Sequence, residues 1–357
     1  MMQKPTFVTQ TSPYIRKETS TKRMMIDVLI ALTPVAFFSI YRFGVDAIIR
    51  ILLSLLIFIL VELIYFLLVT KVEGFNFKDR LTQKFKKYSV NHVTAPAVSG
   101  LIFAMLLPDG LNLYVVVMGS IFGAFIGKMV FGGLGYNLFN PAALGRVFIA
   151  VSFASFFVGS YGLVDAAAGA TPLSLSFAEL FNYYQLTDLL TGNIPGSLGE
   201  VNSILILIGA LYLFIRKSAD FRPALSALLI FVVLTAIAGY ILYPTMVLEY
   251  VLFHLLSGGF LFGLAFMVTD PATSPVTRPG RWIYGLIIGF LIFAIRVWGN
   301  LPEGVAFAIL LGNLVVPLID YPKFATNQYR LRFLIGYGVS FVLLAVFTYL
   351  ILGGIII

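Results

Sequence analysis

The stretch from Gly127 to Arg146 gathers residue types that can hold a flat, polar ligand. Gly132, Gly133 and Gly135 let backbone approach a partner closely and take up left-handed conformations. Asn137 and Asn140 supply paired amide donors and acceptors, the groups that match the edge of a planar heterocycle. Lys128 and Arg146 bracket the segment with positive charge. The same residues also suit a tight turn between helices, with basic side chains reaching toward lipid headgroups. There is no Gly-Lys-Ser/Thr sequence and no preceding strand, which excludes phosphate-loop and dinucleotide patterns.

A second stretch runs from Asp165 through small residues to Gly169, Ala170, Thr171 and Pro172. An accessible threonine hydroxyl in such a run is open to a modifying enzyme, and Asp165 is placed to order the segment or to meet that enzyme's metal. The alternative is a turn with Thr171 as N-cap and Pro172 opening a helix over 172–182. In the third stretch, Thr269 to Arg281, Pro271, Pro275 and Pro279 preclude regular helix, while Asp270, Thr273 and Ser274 form a polar lining. Irregular polar backbone at membrane depth is tolerated where it is packed in protein or lines a cavity.

Ionisable residues also occur in or beside the apolar runs: Asp27, Asp46, Glu62, Glu249, His254, Arg296, Glu303 and Asp320. Glu62 lies deepest, and intramembrane acids are costly enough to read as functional. Glu62, Glu303 and Asp320 are the candidate ion-path acids. Glu62 has a second reading as half of an interhelical pair, with Arg296 as partner. His254 reads as a hydrogen-bonded packing residue.

The elements that position these groups follow from composition. Of 357 residues, 60% are hydrophobic and 11% charged, with a mean hydropathy of +0.98. A soluble domain carries about 25% charged residues, so most of this chain meets lipid. Apolar runs of about 20 residues indicate helices, where a barrel would show alternating strands of about ten. The fold class is therefore an all-α polytopic membrane protein. The predicted spans are 24–42, 45–70, 92–107, 111–131, 141–159, 201–215, 223–243, 249–268, 281–298, 303–319 and 333–355, ten or eleven in all because 92–107 is short.

Basic clusters fix the orientation. They lie at Lys71–Lys87, Arg216–Arg222, Arg278–Arg281 and Lys323–Arg332, all on one side if the N-terminus is cytoplasmic. The loop 160–200 lacks Lys and Arg and carries Asp165, Glu179, Asp188 and Glu200, so it is expected outside. The expected organisation is a cytoplasmic segment 1–23, a first membrane repeat 24–159, the outer loop 160–200, a second repeat 201–320, and a loop plus last helix 321–357. Ser99–Pro108 and Gly259–Pro271 share a character, and each precedes a Gly-rich span and then another span. Spans in that order, one copy starting inside and the other outside, make an inverted five-plus-five repeat with a central binding site.

The net charge of +8 is accounted for by this cytoplasmic bias, without nucleic acid. Zero cysteines exclude disulfides, thiolate catalysis and iron–sulfur ligation on this chain. His92 and His254 are too few for a bis-His haem or a His-rich metal site, and no metal site is expected. The polar first 23 residues do not resemble a signal peptide.

These segments together resemble the NqrB/RnfD family, the flavin-bearing membrane subunit of the Rnf complex (ion-translocating ferredoxin:NAD⁺ oxidoreductase) and of the Na⁺-translocating NADH:quinone reductase. The resemblance rests on Phe131–Ala142, Asp165–Thr171, Ser257–Phe260, Thr269–Pro275, Arg296–Asn313 and Pro317–Asp320. It implies FMN esterified through its phosphate to Thr171 by a flavin transferase, and a second, non-covalent riboflavin near Asn137 and Asn140. It also implies an architecture similar to urea channels. One departure is Ala168, where the family has serine; the Thr171 acceptor is intact.

The early start of the first span and the Pro13–Thr21 segment resemble the Rnf form, which implies the Rnf partners A, B, C, E and G in a bacterial or archaeal plasma membrane. The chain would then have no stand-alone activity; it would relay electrons between ferredoxin and NAD⁺, coupled to Na⁺ or H⁺ transport. The alternatives are the quinone-reductase B-type subunit and a solute channel or secondary transporter without flavin.

Overall fold

The computed structural model describes residues 20–72, 76–157, 177, 185–192, 194, 196–200, 202–299, 304–321 and 325–354. Among them there are helices and turns and no strand. The first half contains α1 (Thr21–Phe43), α2 (Val45–Val69), α3 (Phe77–Lys87), α4 (Asn91–Met105), α5 (Leu113–Ala124) and α6 (Pro141–Ser152). After the short α7 (Leu186–Thr191) come α8 (Ser203–Ile215), α9 (Phe221–Leu242), α10 (Val247–Leu256), α11 (Phe260–Phe266), α12 (Arg278–Phe293), α13 (Val305–Ile319) and α14 (Leu331–Leu352).

Among the described residues, each predicted span overlaps helix. Among these residues, five helices are long and apolar enough to cross a membrane, or six if α10 and α11, bent by 51°, form one broken span. Four other apolar helical stretches among the described residues run 10–17 residues. Helix starts obey local chemistry. Ser20 accepts from the Arg23 amide at 3.2 Å, and Asn140 Oδ1 accepts from Ala142 and Ala143 at 3.1 and 3.2 Å, with Pro141 at the first helical position. One helix, α3, occupies what reads in sequence as a basic loop. Leu81 and Phe85, four residues apart, share one face, and lysines fill much of the rest.

Helices in lipid associate by close approach of small residues. A Cβ added to Gly285 would sit 2.3 Å from the Pro223 carbonyl oxygen, and one on Gly289 would sit 2.4 Å from that of Ala227. These contacts lock α12 onto α9. The pair α5 and α6 meets in the same way, with a Cβ on Gly145 falling 2.7 Å from the Gly119 oxygen.

Two helices stop within the bundle, and each frees carbonyls that hydrocarbon cannot satisfy. At the end of α4, Arg146 Nε donates to the Leu106 carbonyl at 2.9 Å. The amides of Leu198 and Gly199 donate to Leu107 and Met105 at 2.9 and 2.8 Å. At the α10–α11 break, Arg296 donates to the carbonyls of His254 at 2.8 Å, Ser257 at 3.2 Å and Gly258. The guanidinium also lies 5.8 Å from the ring centroids of Phe231 and Phe260. A buried arginine thus closes each break.

Candidate functional site

Four helix ends and two irregular loops converge on one recess. Its wall takes Met25 and Val28 from α1, Ala95, Val98, Ser99 and Ile102 from α4, Leu213 from α8, and Ala265 and Phe266 from α11. Its polar side consists of Lys128, Asn137, Asn140, Thr269 and Asp270. The sequence thus predicted three residues that the fold brings together, Asn137, Asn140 and Asp270, from segments more than a hundred residues apart. The recess is narrow, about 60 Å³, and shares Ser218, Ala219, Thr269 and Pro271 with a wider hollow beside it.

Lys128 reaches the recess because α5 continues into a single π-turn, Phe125–Met129. Such turns recur at functional positions. Its Nζ lies 2.6 Å from Glu62 Oε2, with the two side chains only 3% and 5% exposed. His92 Nδ1 lies 3.3 Å from the other Glu62 oxygen, and the Tyr88 ring stacks on His92 at 5.2 Å. Burial, reinforced by the Glu62 carboxylate, pushes the Tyr88 phenol above its usual range. Glu62 is therefore an interhelical pair, but with Lys128 and not with Arg296, which lies at the α10–α11 break. A matching π-turn, Ala294–Trp298, ends α12 and carries Arg296.

The turn after Lys128 needs its glycines. The Gly133 amide donates to the Lys128 carbonyl at 3.0 Å, and Gly132, Gly133 and Gly135 take φ of 109°, 91° and 88°. Asn137 Nδ2 donates to the Phe139 carbonyl at 3.2 Å. The opposite loop folds on Asp270, whose oxygens accept from the Ala272 amide at 3.2 Å and the Thr273 hydroxyl at 3.1 Å. Asn313 joins the two loops. Its Oδ1 accepts from the Asn140 amide at 3.1 Å, and its Nδ2 donates to the Thr273 carbonyl at 3.2 Å and to the Tyr284 hydroxyl at 2.8 Å.

Other predicted residues stand elsewhere. Arg146 closes the α4 break and lies 4.5 Å from the Phe157 ring centroid, away from Asn137. Asp320 accepts from the Val276 amide at 2.9 Å, holding the loop that contains Asp270. The ring of His254 packs on Tyr250, centroids 4.5 Å apart, and its carbonyl accepts from Arg296. Asp165, Gly169, Ala170, Thr171, Pro172 and Glu303 lie outside the described residues, as does most of the helix expected over 172–182. Of that helix only Phe177 is described, helical and packed on Tyr243 and Tyr250. Nothing in the sequence gives Asn313 or His92 a place beside the recess. The signal for Asn313 was a lone amide inside the apolar run of α13.

Residues 8–327 match the model of the NQR2, RnfD, RnfE family. The chain belongs to this family. The B-type subunit of the Na⁺-translocating NADH-quinone reductase of Ectopseudomonas mendocina is 33% identical to it, across 89% of this chain and 88% of the relative. Its counterpart in Azotobacter vinelandii is also 33% identical, with the same coverage of both chains. The D-type subunit of the ion-translocating oxidoreductase complex of Stutzerimonas stutzeri is 34% identical, over 84% of this chain and 90% of the relative. The names of these relatives place them in ion-translocating oxidoreductases.

Proposed function

We propose that this chain is the flavin-carrying membrane subunit of an ion-translocating electron-transport complex of the Rnf type, moving electrons between ferredoxin and NAD⁺ while Na⁺ or H⁺ crosses the membrane. The observation that carries this reading is family membership over residues 8–327, a range that includes the Asp165–Thr171 element. FMN would be held at Thr171 through a phosphoester, installed by a flavin transferase. With no cysteine in the chain, iron–sulfur centres belong to partners, the Rnf proteins A, B, C, E and G.

The recess suits the edge of a second flavin, riboflavin in our reading. Asn140 spends its Oδ1 on capping α6 and Asn137 its Nδ2 on Phe139. That leaves the Asn140 amide NH2 and the Asn137 amide oxygen to face a heterocycle. At about 60 Å³, the recess takes the edge of a ring. A bound flavin passes electrons singly and exchanges them in pairs. The chain's own part is to hold the ring against two amides and to keep water out with Val98, Ile102 and Phe266.

Our topology has ten or eleven crossings in an inverted repeat, the basic turns cytoplasmic and the Thr171 loop outside. It is supported by the two π-turns with their buried bases, by the two arginine-closed breaks, and by the packing of α1 on α8 and α6 on α13. A second reading, the B-type subunit of the quinone reductase, is favoured by relatives 33% identical, across 89% of this chain.

The test is flavin fluorescence of the denatured full chain on a gel, followed by peptide mapping, with Thr171→Ala beside the wild type. A fluorescent band that maps to Thr171 and goes dark in the variant is expected. A dark wild-type band, from cells containing the transferase, refutes covalent attachment and favours the channel alternative. Reduction by ferredoxin rather than by quinone-linked NADH oxidation, in membranes with and without the chain, separates the Rnf reading from the B-type one.

A further inference from the structure

The wider hollow lies where the end of α8 meets the starts of α9 and α12. Lys217, Arg222, Arg278 and Arg281 line it, with Asp220 the one acid among its described lining residues. Arg222 Nη1 contacts Asp220 Oδ2 at 2.5 Å, and Arg281 Nη1 bonds the same oxygen. One negative charge is thus shared by two guanidiniums. Lys217 and Arg278 are exposed and make no ion pair among the described residues. Four cations against one carboxylate leave a surplus of positive charge, to which the N-terminal ends of α9 and α12 add their dipoles.

Lys217 carries a second signal. It is the one residue other than glycine with positive φ among the described residues, at 57°. The position closes α8: the Ser218 amide donates to Leu213 and the Lys217 amide to Phe214, at 3.0 and 3.1 Å. Glycine is the usual residue at this place in such a turn. A lysine that accepts left-handed strain here is explained by what its side chain does in the hollow.

The surroundings select the ligand. Leu211 and Ile215 on α8, and Phe221 and Leu225 on α9, are exposed and lead up to the basic rim. Apolar strips ending at unpaired cations match a molecule with acyl chains and an anionic head. We propose that this hollow seats the phosphate of an anionic phospholipid, with its chains along the α8 and α9 strips. The phosphate meets Lys217 and Arg278, and the Asp220 cluster keeps the rim rigid. This site does not depend on flavin.

The experiment is native mass spectrometry of the purified full chain in mild detergent, titrated with phosphatidylglycerol or phosphatidylcholine. Phosphatidylglycerol should be retained in preference. Lys217→Gln with Arg278→Gln should weaken its binding about 25-fold, about fivefold for each cation near the headgroup. Lys78→Gln with Lys86→Gln on α3, which removes two bases elsewhere, should leave retention unchanged. Lys217→Gly should lose about fivefold in lipid binding yet melt no lower than the wild type, because glycine suits the turn. Equal retention in wild type and the Lys217/Arg278 variant overturns the proposal, as does an equal loss in the α3 variant. Displacement of the lipid by millimolar inorganic phosphate, with phosphate binding showing the same dependence on Lys217, assigns the hollow to a soluble phosphate and overturns the lipid.

Discussion

Breaking the Glu62–Lys128 pair should be far more damaging than removing it whole. At 2.6 Å, two unit charges attract by about 6 kcal/mol at an effective dielectric near 20. Desolvation of both ions offsets much of that, so the intact pair contributes little net stability. Deleting one partner leaves the other charge buried. Lys128→Met strands Glu62, whose remaining contact is His92, a side chain 34% exposed. The expected loss is about 3–5 kcal/mol, with a similar loss for Glu62→Leu. The double variant should lie within about 1–2 kcal/mol of the wild type, since buried ion pairs replaced by apolar residues are often neutral. A double-mutant cycle on the full chain, unfolded reversibly in mixed micelles and followed by circular dichroism, reads the coupling directly. Arg296→Met in the same cycle should show no coupling to Glu62. If the two single losses simply add in the double variant, the buried pair is not an energetic unit and the reasoning fails.

Gly289→Ala places a methyl 2.4 Å from the Ala227 carbonyl oxygen, and overpacking of this kind costs about 1–3 kcal/mol. The same unfolding measurement should show it, and a loss below the experimental error would mean that α9 and α12 separate without cost. Asn313→Ala removes partners from the Asn140 amide, the Thr273 carbonyl and the Tyr284 hydroxyl. Each buried group left unpaired costs about 1–3 kcal/mol. Asn313→Ala should therefore loosen both loops and lower riboflavin retention in equilibrium dialysis. Retention equal to the wild type would separate the recess from flavin binding.

How much of this was legible beforehand depended on the range of the interaction. Helix existence is local: apolar runs of the right length, and caps such as Ser20 and Asn140, act within a few residues. Each predicted run accordingly overlaps helix among the described residues. The turn at Gly132–Gly135 was legible for the same reason, because positive φ is a property of one residue. A face of α3 was overlooked because its apolar residues are few and its lysines read as loop charge.

What sequence by itself determined was a lipid-embedded helical chain, its family, and the residue types of the recess. Tertiary structure alone decided the partners. Glu62 and Lys128 are 66 residues apart in sequence, and Arg296 was as plausible a counter-ion until the π-turn aimed Lys128 at α2. Arg146 looked like a ligand-binding base until the broken end of α4 claimed its guanidinium. Asn313, one amide in an apolar helix, showed nothing in sequence of which groups it would join, yet it links the two loops of the recess. Charges and amides in hydrocarbon must be paired, but which pair forms depends on helix packing, and no local pattern encodes that.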